Sequence, residues 1–189
     1  MDFYAIDVNL LKFINKHHSL LLDEWMWLFS SRLFWIPFYL LIAYILHQKF
    51  KNLFFYLLLG GVLTILLSDQ ISVLIKNTVM RLRPSHEPGL ANQLHYLYNY
   101  VGGLYGFVSS HAANAGALAV YVFSFTRRAK WIRYLLIIYV FLVCYSRIYL
   151  GVHYPSDILA GLIVGFILGL LTSRLVWLAI SKNFLHLKL

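Results

Sequence analysis

Little in this chain can crosslink, and little of it is charged. It has one cysteine, Cys144, which excludes an intrachain disulfide and a multi-cysteine metal site. Cys144 lies inside an apolar run, where a thiol packs as a small hydrophobe. Charged residues make up 12% of the 189, about half the share usual in a soluble domain. Acidic residues are scarcer still, 7 Asp+Glu against 16 Lys+Arg, for a formal net charge of +9. A basic leader is also missing. The chain opens with Asp2 and Asp7, so no cleavable signal peptide is expected and the apolar helices must direct insertion. Internal repeats and low-complexity linkers are absent, as expected of one domain over residues 1–189.

What the chain has in abundance is apolar sequence: 61% hydrophobic residues and a mean hydropathy of +0.72. A bilayer-spanning helix needs about 20 mostly apolar residues. Five segments qualify or nearly do: 33–46, 53–75, 112–125, 131–149 and 158–180. The first is short, and residues 25–29 are expected to extend it. The second is interrupted by Asp69. Residues 1–30 read differently. Leu10, Leu11, Phe13 and Ile14 mix with Asp7, Lys12, Lys16, His17 and His18, a pattern that suits an amphipathic helix lying in the membrane interface, with a sixth spanning helix as the second reading. The expected fold is therefore all-α. It is an integral-membrane bundle of about five transmembrane helices, core 33–180, preceded by that interfacial helix.

The loops orient the bundle. Lys49 and Lys51 lie after the first span, Arg127, Arg128, Lys130 and Arg133 after the third, and Lys182 and Lys188 in the tail. With five spans these fall on one side, which the positive-inside rule makes cytoplasmic. A basic surplus placed between apolar runs points to anionic lipid surfaces and an anionic substrate, not to nucleic acid. Gly161, Gly165 and Gly169 recur every four residues on the last span and form a small-residue packing face. That face serves the bundle itself or, second, a homodimer. A monomer or homodimer is expected.

Three polar stretches fall on the opposite, outer side: Lys76 to Arg83-Pro84, Ser109-Ser110-His111, and Ser146-Arg147 through His153 to Ser156-Asp157. Ionisable groups at the ends of apolar helices are costly, and their default reading is functional. Lys76, Arg83 and Arg147 offer donors that match phosphate oxygens. Taken singly, Lys76 or Arg83 would read as snorkelling to headgroups. Arg81 reads first as a headgroup anchor and second as a further phosphate contact. Ser109 and Ser110 open a helix, where unpaired N–H groups favour both capping and phosphate. His111 can protonate a leaving oxygen from that first turn. His153 and Asp157, four apart, share one helical face, so that the carboxylate can hold the imidazole tautomer. A two-His, one-carboxylate metal site from His111, His153 and Asp157 is the minor alternative, because the surrounding cations repel a metal. Tyr96, Tyr98 and Tyr100 read as an interfacial aromatic belt or as a platform for a sugar.

The three stretches resemble the signatures of the type 2 phosphatidic acid phosphatase superfamily. Lys76, six residues, Arg83-Pro84 matches the first signature. Ser146-Arg147, five residues, His153, two residues, Ser156-Asp157 matches the third. The middle one, usually Pro-Ser-Gly-His, is Val108-Ser109-Ser110-His111 here. The resemblance implies a metal-independent, cofactor-free membrane lipid phosphatase. It makes His153 the nucleophile that forms a phosphohistidine, Asp157 its orienting base and His111 the proton donor to the leaving group. Lys76, Arg83, Ser109, Ser110 and Arg147 then bind the phosphate. Soluble vanadate-dependent haloperoxidases share the signature, but the long apolar runs set this chain apart from them. The expected substrate is a lipid phosphate on the periplasmic face of a bacterial inner membrane. Lipid A comes first, because the run from Phe107 to Asn114 looks like short bacterial members that include lipid A phosphatases. Undecaprenyl diphosphate is second, then phosphatidylglycerophosphate or phosphatidate. A membrane transporter using the same anion site is the non-enzymatic alternative.

Overall fold

A computed structural model describes residues 3–186, with side chains to Lys182. Asp2 and Lys188 lie outside the described residues. Seven helices follow in order: α1 (Phe3–Lys16), α2 (Leu20–Ser30), α3 (Ile36–Lys49), α4 (Phe54–Val79), α5 (Ser110–Thr126), α6 (Lys130–Tyr149) and α7 (Pro155–His186). The described residues contain no strand, only an isolated bridge between Leu82 and Tyr105.

Helix α5 is the axis of the bundle, packed by α4, α6 and α7. Its buried positions are small: Ala112, Ala113, Ala115, Gly116 and Ala117. The α7 glycines lie against them. A Cβ on Gly161 would come within 2.6 Å of the Ser109 carbonyl oxygen, and one on Gly165 would strike the Ala113 carbonyl. The small-residue face is therefore consumed within the bundle, as its first reading held. Close backbone approach replaces the hydrophobic effect, which does little between helices in lipid. Buried polar pairs add glue, with Thr64 Oγ1 donating to Thr172 Oγ1 at 2.7 Å and Tyr121 OH to the Leu57 carbonyl at 2.7 Å. The outward side chains of these helices, such as Leu59, Leu66, Phe141, Ile163 and Phe166, are exposed and apolar, as a lipid-facing surface requires.

Among the described residues, three stretches are long and apolar enough to cross a membrane: Lys51–Val79, Lys130–Tyr149 and Pro155–Lys182. The other two expected spans are shorter. Helix α5 has 17 residues and α3 has 14, against the roughly 20 of a full crossing. Residues 25–29 do not extend α3. They belong to α2, which stops at Ser30, and the Trp35 indole N–H ties the turn to the Phe29 carbonyl at 2.8 Å.

The amino-terminal segment holds two helices where one was expected. In α1 the buried positions are Asp7, Leu11 and Asn15, four apart, and Phe3, Ile6, Leu10 and Phe13 point outward. Its protein-facing side is thus the partly polar one, and its outward side is apolar. Asn15 staples α1 in place, donating to the carbonyls of His95 and Tyr149 at 2.9 and 2.8 Å. At the far end of the bundle Lys49 donates to the Phe125 carbonyl at 2.9 Å, so the two basic loops meet there, opposite the three polar stretches.

Candidate active site

The site is assembled from four helix ends. Helix α4 closes with Met80 in the left-handed conformation (φ 51°), and the chain turns back across the end of the bundle. Arg83 N–H donates to the Leu104 carbonyl at 3.0 Å and Gly106 N–H to the Arg81 carbonyl at 2.9 Å, so the long loop pairs with the turn. Two glycines let that loop wrap Arg83. Gly102 has φ +69°, and a Cβ there would sit 2.8 Å from Arg83 Nη1. A Cβ on Gly106 would sit 2.9 Å from Asp157 Oδ2. Arg83 is then fixed by the carbonyls of Tyr105 (3.1 Å) and Val152 (3.3 Å).

Ser109 caps α5, accepting the Ala112 N–H at 3.5 Å, so Val108 in place of proline leaves the cap intact. Ser109 N–H donates to the Asp157 carbonyl at 3.0 Å, which locks the start of α5 to the start of α7. Ser110 Oγ accepts from Lys76 Nζ and, at 2.7 Å, from Ser72 Oγ. Ser146 bonds locally to the Val143 carbonyl. Arg147, only 1% exposed, donates to Ser30 Oγ and to Tyr100 OH at 3.2 Å, and its Nε is buried without a partner.

His153 is 1% exposed and Asp157 fully buried. The imidazole Nδ1 faces Asp157 Oδ2 at 3.4 Å, and the same oxygen accepts the Tyr154 N–H at 3.1 Å. Burial, and after it the fields of Arg83, Arg147, His111 and Lys76, push the His153 pKa well below its ordinary value. The neutral imidazole, with a free ring nitrogen opposite the carboxylate, is the form this environment favours. Arg83 is pushed down to about 10, by burial and then by Arg147, and so stays protonated at neutral pH.

All eight sequence-predicted residues thus meet at one end of the bundle. Among the described residues, Lys76, Arg83 and Arg147 have no carboxylate within salt-bridge distance. Three clustered cations without an anion suit an oxyanion, since buried charge is stable only when compensated. His111 stands where this cage meets a cavity of about 510 Å³ between α3, α4, α5 and α6. Asp69 and Asn114 line the same mouth, and Asn114 donates to Asp69 at 3.2 Å. That contact explains the carboxylate inside α4.

Two sequence expectations change. Arg81 is not a headgroup anchor. Its Nη1 donates to Asp157 Oδ1 (2.8 Å) and Ser156 Oγ (2.7 Å), and its Nη2 to Asp7 Oδ2 (2.7 Å). A carboxylate pair on the protein side outcompetes a headgroup for a guanidinium this well placed. Tyr100 is not part of a belt, because it is bonded to Arg147. Trp27 packs edge-on against Tyr98 (5.1 Å between ring centroids) and Tyr100 (5.5 Å), which ties the loop to α2. The contacts of Asp7 and Ser30 at the site were missed, and Tyr100 was given another role. The only signal for Asp7 was an acid in register with Leu11 and Asn15.

Among the described residues, the His and carboxylate ligand atoms that converge within 4.8 Å are those of His18, Asp23 and His95. That group is satisfied internally. Tyr149 OH donates to Asp23 at 2.6 Å, His95 Nε2 lies 3.1 Å from it, and the His18 ring stacks on His95 at 3.8 Å.

An apolar helical bundle that gathers Lys76, Arg83, Arg147 and a buried His153 at one end suits the class of membrane phosphatases. The chain belongs to the PAP2 superfamily, whose family pattern matches residues 52–181. It is 36% identical over 181 residues to the lipid A 4'-phosphatase of Bacteroides thetaiotaomicron, covering 90% of this chain and 80% of that one. It is 35% identical over 170 residues to the lipid A 4'-phosphatase of Porphyromonas gingivalis, covering 88% and 72%. The crystal structure of Aquifex aeolicus LpxE superimposes with a TM-score of 0.70 at 27% identity, covering 92% of this chain and 97% of that one. The protein is a membrane lipid phosphatase.

Proposed function

We propose that the protein removes a phosphate from lipid A at the periplasmic face of a bacterial inner membrane, through a phosphohistidine. The observation that carries the chemistry is the buried His153 facing Asp157 among three cations, Lys76, Arg83 and Arg147, that have no carboxylate within salt-bridge distance among the described residues. Lys76, Arg83 and Arg147, with Ser109 and Ser110, hold the three non-bridging oxygens and stabilise the charge of the transition state. His153 attacks phosphorus through the ring nitrogen opposite Asp157. Its Nδ1–H donates to that carboxylate, which supports the positive charge that develops on the ring. The bond from phosphorus to the lipid oxygen breaks, and His111 delivers a proton to that oxygen; burial, then Arg147, hold its pKa well below the ordinary value, so it carries that proton only once the bound phosphate offsets the surrounding cations. His111, now neutral, takes a proton from water. The hydroxide attacks the phosphohistidine, inorganic phosphate leaves, and His153 returns to neutral.

The lipid assignment rests on the two lipid A 4'-phosphatases and on the cavity. Its lining is mainly Trp35, Ile42, Leu46, Leu57, Ile65 and Leu118, apolar from the His111 mouth toward the basic end, and an acyl chain fits such a lining. Basic loops at the opposite end support an outward-facing site under the positive-inside rule. The α7 glycine face is used internally, which supports a monomer. The test is phosphate release in detergent from a panel of lipid A, undecaprenyl diphosphate and phosphatidylglycerophosphate, with His153→Ala as control. Preferential release from lipid A is expected. Preferential release from either other lipid overturns the substrate.

A further inference from the structure

Asp7 and Arg81 take no part in the cage, yet they form a closed polar network with Ser156 and Asp157. The Arg81 guanidinium carbon lies over the Tyr154 ring, 4.0 Å from its centroid. One of its terminal nitrogens reaches both Asp157 Oδ1 and Ser156 Oγ, and the other reaches Asp7 Oδ2. Asp7 closes the circuit. Its Oδ1 accepts the Ser156 N–H at 2.8 Å, and its Oδ2 accepts the Ser156 hydroxyl. Asp7 is buried on α1, some 150 residues in sequence from Asp157, and Asn15 pins the same helix to the end of α6.

We infer that Asp7 and Arg81 are positioning residues for the catalytic carboxylate, and that α1 thereby forms part of the active-site assembly. The inference rests on the roles proposed above for His153 and Asp157. The physical argument is one of accounting for oxygens. Asp157 has no exposure to water, so each oxygen needs a protein donor. Oδ2 serves the Tyr154 N–H and His153, and Oδ1 has Arg81 alone. Without that bond the carboxylate can rotate about its terminal torsion, which is soft and roughly two-fold. The His153 tautomer then loses its fixed acceptor. Arg81 in turn is a planar fork of donors whose two terminal nitrogens are held by separate carboxylates, and Asp7 supplies the second. Asp7 also grips the first turn of α7 through Ser156, so it fixes the backbone that carries Asp157.

A positioning role acts on the chemical step and not on phosphate binding. Arg81→Gln is expected to lower kcat by about 10- to 100-fold with KM within about two-fold, the pattern of an interaction felt only in the transition state. Asp7→Asn keeps the acceptor for Ser156 N–H but loses the charge on Arg81, and is expected to lower kcat by about 10-fold at unchanged KM. Arg81→Lys, a point charge that cannot span three partners, is expected to fall between wild type and Arg81→Gln. The double variant Arg81→Gln, Asp7→Asn is expected to be no worse than Arg81→Gln by more than about two-fold, because Asp7 acts chiefly through Arg81. Steady-state phosphate release by the full-length protein in detergent reads all four. An unchanged kcat in Arg81→Gln, or a raised KM at constant kcat, overturns the inference. If Arg81→Gln does not fold, Asp7→Asn decides alone, and wild-type kcat in that variant overturns it. His153→Ala runs alongside. Turnover surviving in His153→Ala refutes the proposed mechanism, whereas a dead His153→Ala with unaffected Arg81 and Asp7 variants refutes only the positioning roles.

Discussion

His153 and Asp157 lie one helical turn apart, with Nδ1 of the first 3.4 Å from Oδ2 of the second, both sealed from water. The pair joins the last loop to the first turn of α7, and Arg81 and the Tyr154 N–H hold the carboxylate that orients the ring. Asp157→Asn keeps the shape but removes the charge that favours a positive ring. Its kcat is expected to fall by about 10³-fold or more with little change in KM, in line with the loss seen when an orienting carboxylate is neutralised. Initial rates of phosphate release measure it.

The three cations act on the phosphate itself. Arg147→Ala and Arg83→Ala are each expected to cost about 10²- to 10³-fold in kcat, the usual effect of removing one oxyanion donor. Arg147→Lys is expected to recover little, because Ser30 and Tyr100 engage separate arms of the guanidinium. Inhibition by orthovanadate, a phosphate mimic, should weaken in parallel.

The cavity gives a way to separate the lipid from the phosphate. Gly61 lines it from α4, and a Cβ there would lie 3.5 Å from the Tyr121 ring, so a large side chain has to project into the open space. Gly61→Phe is expected to raise KM for a long-chain lipid by about 10-fold, the worth of a little over 1 kcal/mol, while hydrolysis of a short, water-soluble phosphate ester is unchanged. Kinetics with the two substrates side by side check this.

Helix packing is tested at Gly165. Its Cβ position is occupied by the Ala113 backbone carbonyl, which cannot move without shifting α5. Gly165→Val is expected to destabilise the bundle by about 1–3 kcal/mol as an overpacking change. Gly103→Ala, with nothing within 4 Å, is the neutral control. Thermal unfolding in detergent distinguishes them.

Acid should destabilise the protein in part through His153. Burial, then Arg83 and Arg147, depress its folded pKa well below the ordinary 6.5. The neutral ring therefore contributes stability in full above that value. The contribution is lost as pH falls below 6.5 toward the folded pKa, because the unfolded chain takes up the proton first. The thermal midpoint of the wild type is expected to drop on acidification below pH 6.5, and less steeply in His153→Gln. Equal slopes in the two proteins would assign the acid loss to other groups.

The site was legible because its chemistry is concentrated at helix ends in an apolar chain. Lys76, Arg83, Arg147, His111 and His153 stand out against their surroundings, and the spacing from Ser146 to Asp157 is preserved at every defined position. The bundle was legible from the apolar runs, though not its lengths. The short α3 and α5 follow from a turn at residues 31–35 and from the enclosure of α5 by its neighbours, which sequence does not record. Arg81 was misread because a lone arginine beyond a span is indistinguishable from a lipid anchor until Asp7 is seen across from it. The roles of Asp7 and Tyr100 were hidden for the same reason. Each acts through a partner more than forty residues away, and a local pattern carries no sign of that.

The central claim is that His153 carries the phosphoryl group. The most direct measurement is acid-free trapping of the enzyme during turnover of lipid A radiolabelled in its phosphates, followed by peptide mapping. The label is expected on the peptide containing His153, acid-labile and base-stable, and absent from His153→Ala, which should also release no phosphate while still folding. Phosphate release at the wild-type rate by His153→Ala would contradict the account.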